Sequence, residues 1–483
     1  MASITNTGPA LNSAGIGSGL DVNSIVTKLM SIEAQPVTDL QQATTKLQTK
    51  ISSYGQIQSA ISAMQDAARK LNTPETWAAA TATSSDSSTI SVAATSAAPG
   101  SYSVSVSQLA SAQSLSSASY TNSSTVVGQG SITIEPGTWS SDQSTFTSKS
   151  GATPVTINIA SGQDSLSAIR DQINAAKAGV TASIVTDSKG ARLVLRSQST
   201  GETSGFKVSV SDADGGDGDT AGLSALAYDP TASVASMTLN QSAANAKANI
   251  NGLDIDSESN TLSTSVDGLS INLLKTSSSP ITISVGSDSA GLKKNITDFV
   301  TAYNSVAKLF RDQTKYDSAN KTAGALQGDS RVVGLQSQLR SLTGSSTSLG
   351  GAFSRVADIG LDPAGDGTLT LNSSKLDKAL TNLTDLKQFF TGVDSSNATN
   401  NGFAQRWNKF ASDTLGTDGL ITTGQKALQS NVTRNNDRIS QLQDHLALVE
   451  KRLRAQYTSL DTTMGKMNQL SAYVTQQFST SSK

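Results

Sequence analysis

Residues 426–478, KALQSNVTRNNDRISQLQDHLALVEKRLRAQYTSLDTTMGKMNQLSAYVTQQF, decide the architecture. Val432, Ile439, Leu446, Leu453, Leu460, Met467 and Val474 recur at a strict spacing of seven, and Leu442, Val449 and Leu470 take the complementary heptad positions. Tyr457, Met464 and Phe478 fall one place further on and widen the apolar face. This is a coiled-coil seam, predicting a helix about 80 Å long at about 1.5 Å per residue.

A seam needs a partner, and the other end of the chain supplies one. Leu40, Leu47, Ile51, Tyr54, Ile57, Ile61, Met64, Ala68 and Leu71 step by three, four or seven. Upstream, Val22, Val26, Leu29 and Ile32 begin a shorter helical stretch that Asp21 can cap, and Pro36 should break or kink the junction between the two. Each arm has one apolar face and a polar remainder, so neither is stable alone.

Between the arms the period changes from helical to two. Ile90-x-Val92, Tyr102-x-Val104-x-Val106, Ile132-x-Ile134, Val155-x-Ile157-x-Ile159, Leu193-x-Leu195, Val208-x-Val210, Ile271-x-Leu273 and Ile281-x-Ile283-x-Val285 read as half-buried antiparallel strands. One amphipathic helix interrupts them at 164–176, DSLSAIRDQINAA, followed by the strands GVTASIV and ARLVLRS. Helical spacing resumes after Asp288 with Leu292, Ile296, Phe299, Val300, Tyr303, Val306 and Phe310. Shorter helices are expected at 332–342, 376–390 and 407–415, with a hairpin in FSRVADIGLDPAGDGTLTLN turning on Asp362-Pro363 through Gly367. The fold class is therefore α+β and multidomain, the terminal helices pairing as a coiled coil or bundle and two β-rich domains inserted between them.

Composition narrows the function. Charged residues are 15% and aromatics 4% of the 483 residues, against about 25% charged in a typical globular protein. The net charge is −2 and no Lys/Arg stripe is interleaved with aromatics, so nucleic acid is not an expected partner. No run approaches the roughly 20 apolar residues of a membrane span, and residues 1–30 have neither a basic n-region nor a continuous apolar h-region. Neither membrane insertion nor a cleavable signal peptide is expected.

Catalytic material is scarce. With one histidine, His445, inside the heptads and no cysteine, Ser-His-Asp and Cys-His catalysis and histidine-based zinc binding lack their groups. SDADGGDGDTAG at 211–222 is dense in acids, but Gly216 and Leu223 stand where a calcium-binding EF-hand loop wants an oxygen ligand and a glutamate. It reads as a surface turn. GIGSG at 15–19 lacks a preceding strand and reads as a lead into the first helix. No catalytic residue, cofactor or metal is expected, and the chain is not expected to be an enzyme. Few charges flank the heptads, so their outer faces are expected to be covered by further copies or another protein.

Several stretches resemble one family, the flagellar filament cap or hook-associated protein 2 family. They are GIGSGLDVNSIVTKLMSIEAQPVTDL (15–40), ANINGLDIDSESNTLSTSVDGLSINLL (248–274), NITDFVTAYN (295–304), RVADIGL (355–361) with DGTLTLN (366–372), and EKRLRAQYTSLDTTMGKMNQLSAYVTQQF (450–478). VTINIASGQDSLSAIRDQINAAKAGVTASIV (155–185) is similar to a motif shared by flagellins and hook-associated proteins.

The resemblance implies a leg of residues 1–39 with 451–483, a helical bundle of 40–77 with 288–450, a β-rich plate domain of 78–113 with 236–287, and an outer α+β plate domain of 114–235. It implies a homo-oligomeric ring at the filament tip, outside the cell. The ring would retain emerging flagellin and promote its folding and insertion. Flagellin, neighbouring hook-associated proteins, the flagellar type III export apparatus and an export chaperone are the implied partners. Carried over by motif, Gly17, Gly19, Leu20, Asp21, Val22 and Ile25 at one end, and Leu453, Leu460, Met467, Leu470, Val474 and Phe478 at the other, are the expected oligomer and filament contacts. A Ser/Thr-rich β surface exposed at such a tip also admits a reading as an adhesin for host glycans or mucin.

Overall fold

The structure, a computed structural model, describes residues 21–480, with side chains up to Gln477. Its helices in chain order are α1 (Val22–Glu33), α2 (Gln35–Asn72), α3 (Pro74–Ala78), α4 (Leu166–Ala176), α5 (Ser289–Thr314), α6 (Ser330–Gly344), α7 (Ser373–Ala379), α8 (Leu383–Thr391), α9 (Phe403–Leu415) and α10 (Leu420–Thr480). Strands occupy the interval between α3 and α5, making the chain α+β as its periodicities require. Two compact units result, one taking the chain up to Thr73 and from Ala290 onward, the other running from Pro74 to Ser289.

In the helical unit, the expected break falls at Ala34, and Pro36 sits in the first turn of α2, where its missing amide leaves no intrahelical bond unmade. Asp21 caps α1 by accepting from the Ser24 amide at 2.9 Å. α10 lies antiparallel to the N-terminal arm. Gly424 packs under the Tyr54 ring, Asn435 donates to Thr44 Oγ1 at 3.3 Å, and Arg454 Nη1 donates to Asn23 Oδ1 at 2.8 Å, so residue numbers fall on one arm as they rise on the other.

Tyr54, Ile57, Ile61, Met64 and Leu71 of α2 are fully buried. They share the core with an aromatic cluster in which Phe299 of α5 lies 4.1 Å from Trp407 of α9, and Phe389 of α8 stacks on Phe403 at 4.7 Å. The single helix expected at 376–390 is two, α7 and α8, because Asn382 accepts from the Asp385 amide and starts a new helix. The expected hairpin pairs Leu361–Pro363 with Leu369–Leu371, and both faces of the Asn304 amide group bond Leu369, pinning it to α5. Pro363 belongs to the first strand; the turn follows it, with Gly367 at φ +89°.

The second unit holds two hydrophobic cores. In the first, antiparallel strands stand in the order Ala80–Ser84, Ile281–Ser287, Gly100–Gln108, Ala246–Ile250, Leu253–Ser257, beside a three-stranded sheet of Thr261–Val266, Leu269–Leu273 and Ile90–Ala94. Ile90, Val104, Val106, Ile271 and Ile283 fill it. In the second, Gly130–Trp139 pairs with Gly205–Asp212 and Val155–Ile159, and Gly190–Ser197 pairs with Val180–Asp187 and Ser114–Ser116. Leu166, Ile169 and Ile173 of α4 are fully buried in this core, which is why that amphipathic segment is a helix among strands.

The two cores are clasped. Thr200 Oγ1 and Thr203 Oγ1 donate to the carbonyl and a carboxylate oxygen of Glu258 at 2.6 and 2.7 Å, and the Glu202 amide donates to Asn245 Oδ1 at 2.8 Å.

Candidate assembly interface

The heptad face of α10 changes surroundings along its length. Val432 and Val449 are buried, while Ile439, Leu442, Leu446, Leu453 and Tyr457 are half-buried in the hairpin with α1 and α2. Beyond Tyr457 the same face continues bare: Leu460 is 46% exposed, Met464 36%, Met467 65%, Leu470 63% and Val474 43%. Their spacing of three, four and seven puts these five on one side of the helix. Tyr473, 60% exposed, stands to one side of them.

A continuous apolar stripe of this kind is rare on the surface of a monomer. Fully burying a side chain of this size is worth about 1.5–3 kcal/mol, so even partial cover of five residues can hold an assembly. Lys466 is the one formal charge between Thr462 and Gln477, so water has few ions to solvate there.

At the facing end, Asp21 is exposed with its carboxylate committed to the Ser24 amide, Val22 is buried and Ile25 is half-buried. These two apolar residues stabilise α1 in its place, which leaves them little free surface. Gly17, Gly19 and Leu20, and the side chain of Phe478, lie outside the described residues. The structure therefore brings Val22, Ile25 and Leu453 into the intramolecular seam and sets Leu460, Met467, Leu470 and Val474 apart from it.

Two contributors escaped the sequence reading of the site. Met464 completes the stripe, and its place on the widened heptad face was the available signal. Arg454 joins the arms, donating to Asn23 and pairing with Glu450 at 2.8 Å; its spacing of four from Glu450 shows the helix pair but nothing in it points to Asn23.

No described helix is long and apolar enough to cross a membrane, and among the described residues no three acidic or histidine side chains converge as metal ligands do. In the 211–222 loop the carboxylates serve backbone amides instead. Asp212 accepts from Ser224, Asp214 from Gly216 and Asp219 from Ala221, each at 2.9 Å. His445 is exposed on α10.

Residues 18–113 match the model of the flagellar hook-associated protein 2 N-terminus, residues 243–469 that of its C-terminus, and residues 145–199 the flagellin hook IN motif. The flagellar hook-associated protein 2 of Escherichia coli is 31% identical over 489 aligned residues, covering 98% of this chain and 99% of the relative. The B-type flagellar hook-associated protein 2 of Pseudomonas aeruginosa is 31% identical, covering 96% of each. Among solved structures, the D1-D2-D3 domains of the flagellar cap protein of Escherichia coli superpose with a TM-score of 0.61 at 30% identity, covering 78% of this chain and 99% of that one. With the helical ends, the inserted β region and the flagellin-related motif all in the same order along nearly its whole length, the chain belongs to the flagellar hook-associated protein 2 family.

Proposed function

We propose that this chain is a structural cap at the distal end of the flagellar filament, outside the cell, working as a homo-oligomeric ring. The observation that carries the reading is the bare apolar stripe from Leu460 to Val474, on a chain whose relatives include a flagellar cap protein. In this reading the stripe, together with Gly17, Gly19 and Leu20, meets neighbouring copies and the filament. Residues 1–39 with 451–483 form the leg, 40–77 with 288–450 the bundle, and 78–113 with 236–287, together with 114–235, the plate.

Because such apolar contacts are individually modest, the leg can release and re-form as each flagellin subunit folds and inserts beneath the ring. Neighbouring hook-associated proteins are further partners in this reading. Export through the flagellar type III apparatus, with a chaperone covering the apolar arms beforehand, fits a chain without cysteine whose helical ends need partners.

The test is a deletion strain complemented with the intact chain or with Leu460→Glu/Met467→Glu/Val474→Glu. The deletion should shed flagellin monomer into the medium and lack filaments, and the triple variant should not restore them. Normal filaments in the deletion strain would overturn the proposal. Wild-type filaments with the triple variant would leave capping intact but remove the stripe from it.

A further inference from the structure

Arg406, near the start of α9, is a cation that burial leaves only half satisfied. Its Nη1 donates to Ser345 Oγ at 2.8 Å and to the Thr399 carbonyl at 3.2 Å, and the guanidinium stacks 3.9 Å from the Phe403 ring centre. Its Nε and Nη2 are buried and have no hydrogen-bond partner. Burial pushes the guanidinium pKa down to about 10. The nearby carboxylate of Asp413 is taken by Lys409 at 2.9 Å.

A structural brace from α9 to the end of α6 needs only Nη1 and the face on Phe403. It leaves the Nε–Nη2 edge unexplained, and native proteins keep few such buried donors unpaired. That edge presents two N–H bonds side by side, the arrangement with which arginine grips a planar carboxylate through parallel bonds. Arg406 itself lines a groove of about 760 Å³, together with Leu342, Ser346, Arg355, Thr399 and Lys409, a volume within the roughly 300–1,000 Å³ usual for ligand sites. Exposed Arg355 adds a second cation to the lining.

The geometry points to a carboxylate-binding site in this groove, with the free edge of Arg406 taking the carboxylate in two parallel hydrogen bonds. Both nitrogens are enclosed in the unliganded chain, so binding includes a small outward movement of the lining side chains. The carboxylate comes either from a small free acid or from an Asp or Glu side chain of a partner protein.

The full chain, labelled with nitrogen-15, is titrated at constant ionic strength with acetate, with an acetylated hexaglutamate peptide, and with inorganic phosphate, following the Arg406 Nε–Hε resonance. That resonance is identified by its loss in Arg406→Lys. The carboxylate should move it downfield, and Arg406→Lys, which keeps the charge but not the fork, should bind about ten- to a hundred-fold more weakly by backbone amide shifts. Response to acetate and peptide alike identifies a small free acid as sufficient; response to the peptide alone identifies a partner's side chain. A resonance unmoved by either carboxylate, one moved only by phosphate, or a folded Arg406→Lys with unchanged affinity overturns the site. Should Arg406→Lys fail to fold, the wild-type titration still decides, with the resonance assigned through its couplings.

Discussion

The Tyr54 hydroxyl donates a 2.8 Å hydrogen bond to Asp329 Oδ2, joining the middle of α2 to the start of α6. The other oxygen of Asp329 caps α6 by accepting from the Arg331 amide at 3.0 Å. Tyr54 is fully buried, so its hydroxyl has no water to turn to. Tyr54→Phe keeps the ring and leaves one Asp329 oxygen short of a donor, which should cost about 1–3 kcal/mol. Urea denaturation with an unchanged m-value checks it; an unaltered midpoint would remove the bond from the list of stabilising contacts.

The same residue sets an alkaline limit. Burial, reinforced by the Asp329 hydrogen bond and charge, raises the Tyr54 phenol pKa above its ordinary value. The unfolded phenol titrates near about 10. Below that pH both states hold the proton, and the stability is fully present. As pH rises beyond it, the unfolded chain loses the proton first, so stability falls. Tyr303, Tyr120 and Tyr228 are raised in the same direction by burial, so unfolding should ease steadily above about pH 10. Urea midpoints across this range should decline less steeply in Tyr54→Phe than in wild type, and parallel declines would contradict the assignment.

Gly424 of α10 faces that ring. A Cβ there would meet Tyr54 Cε1 at 2.9 Å and Cζ at 3.0 Å, while the gain in helix propensity over glycine is about 1 kcal/mol. For Gly424→Ala the two effects nearly cancel. For Gly424→Leu the added carbons have no room, and overpacking should cost about 1–3 kcal/mol. Thermal melts of the pair test this, and stabilisation by leucine would show that α10 can move away from α2.

Much of this fold is legible in periodicity because burial repeats along an element. The heptads from Val432 to Leu453, the cap at Asp21, the break before Pro36, the helix at Leu166–Ala176 and the alternating strands each carry their own signal. What pairs with what does not. Ile281–Ser287 stands between Ala80–Ser84 and Gly100–Gln108, yet alternation in a strand specifies a buried face and not a neighbour. The Tyr54–Asp329 bond spans 275 residues, and no local pattern marks such a polar pair.

The heptad face of α10 shows a different limit. Leu460 and Met467 continue the period of Val432 and Leu446 without interruption, so spacing alone cannot tell a face packed within the chain from one left exposed. The split at Asn382 was hidden likewise, because apolar spacing runs through from Leu376 to Phe390 while the capping side chain ends one helix and begins the next.

Gly201 holds the clasp between the two β cores in a backbone conformation of φ +101°, with a Cβ there falling 2.5 Å from Glu258 Cβ. Gly201→Ala is therefore both strained and crowded, and should destabilise the Pro74–Ser289 unit by about 1–3 kcal/mol. With no native cysteine in the chain, one spin label on each core can follow the consequence. Pulsed electron resonance distances should broaden in Gly201→Ala and in Glu258→Ala, and a width unchanged in both would mean that the clasp does not restrain the cores.

The bare end of α10 should behave as two regions that meet near Tyr457. Before it, packing of buried Val432 and Val449 and half-buried Leu453 against the N-terminal arm protects the helix; after it, the apolar face has no cover in the described chain. A helix with one unpartnered apolar side opens locally at little cost. Trypsin should accordingly cut dilute chain first after Lys466, and cleavage should slow as concentration rises and copies cover the stripe. Leu470→Glu should leave the urea midpoint of the chain within about 0.5 kcal/mol of wild type, as an exposed substitution does. It should also abolish the concentration-dependent protection, because a carboxylate buried in an apolar contact loses its water without gaining a partner. Equal cleavage rates at all concentrations in the wild type would show that the stripe does not associate with its own kind.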